Sequence, residues 1–331
     1  MRVQPSASMP VQRRQLLKAG GGAVLLAPIR GMTQSWPARP LRLVVPFAQG
    51  DLTDIMARLV GSRLAQELNQ PLIIDNKPGE GGNVGATEVA QAVPDGYTLL
   101  MASPPLTISP ALYTNLSYKP AQIMAVAMLG RVPNVLVVSR QSSINNVAEL
   151  VAKAKRRPGQ LRYASNGKGT SLHLTAELFK SSTDISITHT PYPTALESVD
   201  ALLAGEVDVV FASLSAVLGQ IQSRTVKALA VTTRRQSKTV ASVPTLVASG
   251  LVDFDESTWF GLAAPTGTPP EAVARLELAL KKVAGNAELM RSMEAIGAEV
   301  GFLGAAFMTA FMLADTAKWK RTAASAKITL G

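Results

Sequence analysis

The apolar positions of this chain fall into short runs and helical stripes that alternate. Leu41–Val45 is an apolar, partly β-branched run that breaks at Pro46 and turns through Gly50. Beyond it Ile55, Met56, Leu59, Val60, Leu64 and Leu68 recur at spacings of three and four, which predicts a helix over 54–68 with one apolar face. Asp51, Thr53 and Asp54 stand at or before its first turn, where an oxygen caps free N–H groups and a negative charge suits the helix dipole. Residues 71–75 and 97–101 read as further strands, with a helix near 84–92 and a Pro94-Asp95-Gly96 turn between them. Residues 129–138 are strand-like and read as the passage into a second unit. That unit repeats the alternation: helices at 147–157, 172–179 and 196–203, and strands at 161–164, 185–192, 207–211 and 226–232. Residues 259–264 run back, and helices at 270–283, 287–296 and 305–324 close the chain. Strand–helix alternation of this kind predicts an α/β fold with parallel strands and crossover helices.

With 331 residues, 47% hydrophobic and 17% charged, the chain has material for two globular domains. The formal charge of +10 overstates its basicity, because Arg2, Arg13, Arg14, Lys18 and Arg30 lie in the first 34 residues, which hold no acid; without them the excess is +5. Basic residues are scattered and not interleaved with aromatics, so nucleic acid is not an expected partner. There is no cysteine, which removes disulfides, thiolate metal sites and a thiol nucleophile. Gln12-Arg13-Arg14-Gln15-Leu16-Leu17-Lys18 followed by the short apolar run 19–29 reads as an export signal over 1–35, similar to the twin-arginine type. Its apolar run is too short to span a membrane. The mature chain is expected to start within 28–37 and to work in the periplasm.

Three turns rich in glycine, serine or threonine follow strands, at 48–53, 79–83 and 165–171. Ligands of open α/β sheets bind beyond such strand ends, where helix N-termini present N–H groups to anions. Nucleotide motifs fail on spacing: Val84 stands where Gly79-x-Gly81 needs its third glycine, and Gly169 follows Gly167-Lys168 where a P-loop needs Ser or Thr. The two histidines, His173 and His189, offer little catalytic material. A hydrolase built on Ser165 or Ser171 with His173 is the remote enzymatic alternative, against a capping or packing role for His173; no G-x-S-x-G elbow supports it. No cofactor is expected, and no cluster of His and carboxylates suggests a metal.

The residues also carry a family pattern. Leu43-Val44-Val45-Pro46-Phe47, Asp75-Asn76-Lys77-Pro78-Gly79, Gly81-Gly82-Asn83-Val84-Gly85-Ala86, Pro94-Asp95-Gly96-Tyr97-Thr98-Leu99-Leu100, His189-Thr190-Pro191-Tyr192 and Ser257-Thr258-Trp259-Phe260-Gly261-Leu262 occur in order. Over about Pro37 to Trp319 the chain resembles the Bug-type periplasmic receptors of tripartite tricarboxylate transporters. The resemblance implies a two-lobe periplasmic binding protein fold of type II kind, joined by two crossing strands. Lobe 1 would comprise 36–131 and 257–331, and lobe 2 would comprise 132–256. It further implies a monomeric, non-catalytic receptor that closes by a hinge on a small organic acid and delivers it to membrane permease subunits. A ligand-sensing receptor for a membrane signalling partner is the alternative.

The expected ligand contacts are Phe47, Ala48, Gln49, Gly50, Asp51, Asn83 and Ser103 from lobe 1. Lobe 2 would supply Ser165, Asn166, Gly167, Lys168, Thr170, Ser171, Tyr192, Pro193, Thr194 and Ser213. The chain departs from the family where Ala48-Gln49-Gly50-Asp51 replaces the usual Pro-Ala-Gly-Gly. It departs again at Pro193-Thr194-Ala195, where Lys-Gly-Gly is usual, and at Ala212-Ser213, where Asp-Asn is usual. Asp51 either caps the first helix or faces the ligand. In the second case it would repel a second carboxylate and favour a monocarboxylate or zwitterion over a tricarboxylate.

Overall fold

The computed structural model describes residues 36–330; the export signal read at 1–35 lies outside them. Strand β1 (Leu41–Val45) buries every residue but Arg42, and successive side chains serve opposite faces. Leu41, Leu43 and Val45 join one core cluster and Val44 another. This two-sided burial is why the run reads as continuously apolar. β1 pairs in parallel with β2 (Leu72–Asn76) and β3 (Thr98–Ala102). The connecting helices are α1 (Leu52–Leu68) and α2 (Asn83–Ala90), and α3 (Pro105–Leu112) follows β3.

The long strand β4 (Ile123–Ser139) belongs to both halves of a ten-stranded sheet. Residues 123–133 pair antiparallel with β9 (Ser257–Pro265), which lies against β3. The same part of β4 also pairs with β10 (Glu299–Gly304). From Asn134 onward β4 pairs with β7 (Val209–Ser213) and β8 (Val226–Val231). β7 continues through β5 (Arg162–Ser165) to β6 (Thr188–Pro191), all parallel. Helices α4 (Val147–Arg156), α5 (Ser171–Thr183), α6 (Ala195–Leu203) and α7 (Leu214–Gln222) complete the second lobe. α8 (Pro270–Ala284), α9 (Ala287–Ala295) and α10 (Ala305–Ala326) follow β9. The sheet is therefore mixed, not parallel throughout: β4 and β9 bring antiparallel pairs to its centre, where the chain changes lobes.

The junction is tied by side chains. Thr232 Oγ1 donates to Asn134 O (3.1 Å) and Glu256 O (2.6 Å), and Thr258 Oγ1 donates to Asn134 Oδ1 (3.0 Å). Behind it, α10 supplies Lys318, whose Nζ lies 2.6 Å from Glu256 Oε1 and 2.7 Å from Asp315 Oδ1. Burial pushes Glu256 up to about 7, although the Lys318 ammonium acts the other way. No described helix is long and apolar enough to cross a membrane.

Candidate functional site

Between the lobes lies a cavity of about 550 Å³. Its wall gathers the starts of several helices. α1 contributes Asp51, Leu52 and Thr53; α5 contributes Thr170, Ser171 and Leu172. α6 contributes Thr194 and Ala195, and α7 contributes Ser213, Ser215 and Ala216. Each N-terminus leaves N–H groups without helical partners and carries partial positive charge. Thr170 and Thr194 are side-chain caps, accepting from His173 N (3.3 Å) and Glu197 N (3.1 Å). Ser213 makes no capping bond; its hydroxyl pairs with that of Ser215 at 3.2 Å. Lys168 brings the one ammonium in the lining, and its side chain makes no ion pair or hydrogen bond among the described residues. Apolar surface comes from Phe47, Ile108, Tyr113, Ile296 and Leu330.

The first turn is held from beneath by Asp54. Its Oδ2 accepts from Gly50 N (2.9 Å) and Arg58 Nε (2.9 Å), and its Oδ1 accepts from Asn76 Nδ2 (2.9 Å). The same Asn76 amide donates to Phe47 O at 3.0 Å. Burial pushes the Asp54 carboxyl up, but these hydrogen bonds and the Arg58 charge outweigh it and hold it below the usual carboxylate range. Asp51 caps α1 through a 2.8 Å bond from Thr53 N and also lines the cavity, so its two readings are not exclusive. The Gly50 N–H goes to Asp54 and the Asp51 N–H to Ala48 O, so both donors are engaged within the turn itself. Asp54 and Asn76 were not among the expected site residues. Asp54 four residues before Arg58, inside a helix start, is the signal that could have found them.

Of the expected contacts, Phe47, Gly50, Asp51, Ser103, Asn166, Lys168, Thr170, Ser171, Thr194 and Ser213 lie on the cavity wall. The others lie outside it. Ala48 and Gln49 are exposed and are not among the lining residues. Asn83 is buried as the first residue of α2. Gly167 turns its carbonyl to Thr170 Oγ1 at 2.9 Å. Tyr192 hydrogen-bonds Glu206 at 2.9 Å, away from the cavity, and Pro193 follows it into solvent.

Ser165 is fully buried and faces into the second lobe, 2.8 Å from His189 Nε2. His189 stacks on His173 at 4.0 Å between ring centroids, and His173 Nδ1 accepts from Gly169 N at 3.0 Å. Burial pushes His173 down to about 3 and His189 to about 4; each ring's charged form is further disfavoured by Lys180 and Lys168. The pair is neutral packing beneath the 165–171 turn. The serine–His173 pairing of the remote hydrolase alternative is not formed; the serine that meets a histidine is Ser165, which is buried and does not line the cavity. Among the described residues no cluster could hold a metal.

Residues 56–327 match the family model described as tripartite tricarboxylate transporter family receptor. A UPF0065 protein of Bordetella pertussis is 36% identical over 78% of this chain and 80% of its own length. An R. palustris protein solved with adipate superposes with a TM-score of 0.79 at 33% identity, covering 89% of this chain and 99% of that one. MatC of Rhodopseudomonas palustris, solved with bound malate, gives 0.75 at 28% identity over 87% and 99%.

Proposed function

From the premise that the chain belongs to the tripartite tricarboxylate transporter receptor family, we propose that it captures a small organic carboxylate in the cavity between its lobes and delivers it to a tripartite membrane permease. Receptors of this family are Bug-type solute-binding proteins of the periplasm, not enzymes. The observation that carries the ligand class is the convergence of the α1, α5, α6 and α7 N-termini around the unpaired Lys168. Together they offer an anion N–H groups, hydroxyls and one full positive charge. The lobes are taken as 36–131 with 257–331, and 132–256, because β4 and the entry to β9 are where the strand partners change. The working form is a monomer released from a cleaved export signal.

Lys168 supplies a single countercharge, and Asp51 on the opposite turn places a carboxylate in the same wall. This balance favours a monocarboxylate or a zwitterion over a tricarboxylate, with the apolar surface of Ile108, Ile296 and Leu330 taking the rest of the ligand. Adipate and malate, held by the two related structures, set the comparison.

A thermal-shift screen of amino acids, aromatic and aliphatic monoacids, dicarboxylates and citrate tests this reading. A ligand at one hundred times its Kd stabilises the folded state by about 2.7 kcal/mol. The expected result is the largest rise in Tm from a monoacid or zwitterion. Lys168→Gln should weaken that ligand about tenfold or more, since a charged hydrogen bond contributes about 1.5–3 kcal/mol. Citrate as the strongest stabiliser would overturn the charge argument, and no stabilisation by any acid would overturn the ligand class.

A further inference from the structure

A second cavity, of about 530 Å³, lies on the other side of the strands that join the lobes. The alternation of β9 sets the two spaces on opposite faces: Thr258 lines the front cavity, while Ser257 and Trp259 line the rear one, and Pro104 borders both. The rear space is nearly as large as the front and falls in the size range of small-molecule sites. One wall is aromatic. Trp259 meets Phe311 edge to face, with centroids 5.5 Å apart, and Phe307 stacks on Phe311 at 6.5 Å. Phe307 is 49% exposed, a large apolar ring left open to solvent in a concave setting.

The charges around this wall are unequally satisfied. Arg131 pairs with Glu299 (3.0 Å) and Asp255 (3.5 Å), and Lys318 pairs with Glu256 and Asp315. Every carboxylate that lines the space thus has a cation beside it. Arg234 and Arg235 also line it, and their guanidinium groups make no ion pair or hydrogen bond among the described residues. The four carboxylates and four cations of the lining balance in number, but Arg131 and Lys318 hold all four carboxylates, so the Arg234 and Arg235 guanidinium groups keep their donors free. An aromatic surface next to two guanidinium groups with free donors is complementary to a flat apolar body with one anionic group.

We propose that the rear cavity is a second ligand site, taking an aromatic monoanion with its ring against Phe307, Phe311 and Trp259 and its charge at Arg234 and Arg235. The site stands independently of the function proposed for the front cavity. Its lining comes from β4, β9, β10 and α10 together with the 234–235 and 255–256 segments of the other lobe. A molecule there touches both sides of the hinge, so its affinity depends on how the lobes sit.

Isothermal titration of the purified protein with 2-naphthoate tests the site. Ala216→Trp and Ser171→Phe each fill the front cavity, and binding to the rear should persist in both. The double variant Arg234→Gln with Arg235→Gln, and separately Phe307→Ala, should weaken 2-naphthoate about tenfold. These three side chains are exposed, so Tm and binding of any front ligand should remain near wild type. The proposal is overturned by absence of binding at millimolar 2-naphthoate, by loss of binding in both front variants, or by binding indifferent to the arginine and phenylalanine changes. Loss of front-ligand binding alone would count against the function proposed above and leave this site standing.

Discussion

Asp54 is the residue on which the opening turn depends. It is 1% exposed and accepts hydrogen bonds from Gly50 N–H, Arg58 and Asn76, so Asp54→Ala strands three donors at once. The expected loss is about 1–3 kcal/mol, read from the urea midpoint at unchanged slope. Its folded pKa is depressed, so its contribution is fully present above the unfolded carboxyl value and is lost as pH falls through the folded one. The gap between wild type and variant should therefore begin to narrow below about pH 4 and close as the pH falls through the depressed folded value. At this scale the sequence was half legible. Acidic residues at a helix start announce capping, and Asp51 does cap. Which oxygen serves which N–H depends on Asn76, which β2 places beside the turn from 22 residues away along the chain. Ser165 shows the same limit. It follows a strand in a polar turn like a ligand contact, but the half-buried ring of His189 on the neighbouring strand β6 takes its hydroxyl.

Among elements, the long amphipathic helices and the buried strands were legible because periodicity records burial. Three elements were not. α3 opens at Pro104-Pro105 and contains Pro110, residues that argue against a helix by their missing N–H, although proline is tolerated in the first turn. α7 is nine residues long and follows β7 with no intervening loop, so its apolar stripe merges with the strand. β10 carries two glycines and is only half-buried, leaving little pattern. The turn before α5 has a constraint that composition does not reveal. Gly169 adopts φ +81°, and a Cβ there would lie 2.3 Å from Leu330 Cδ1 and 3.1 Å from Leu112 Cδ1. Gly169→Ala should therefore destabilise by about 1–2 kcal/mol from backbone strain alone, seen as a lower Tm. Leu330→Ala should relieve the steric share, and the double variant should recover part of the loss.

For the whole molecule, the two-lobe arrangement was visible in the sequence as two rounds of alternation separated by the strand-like runs near 129–138 and 259–264. The mixed centre of the sheet was not, because strand direction leaves no mark on hydrophobicity. The junction between the lobes relies on Thr232, whose hydroxyl lies within hydrogen-bond distance of the carbonyls of both Asn134 and Glu256 in a fully buried position. Thr232→Val keeps the shape and removes the hydroxyl. The expected cost is about 1–3 kcal/mol in chemical denaturation. One consequence of the crossing strands is optical. Of the three tryptophans, Trp36 packs against Tyr97, while Trp259 and Trp319 stand in the rear wall; none lines the front cavity. Intrinsic emission is thus a gauge mounted behind the joint. If the lobes close on a front ligand as proposed above, the expected spectral change reports the angle between them, not quenching by the ligand itself.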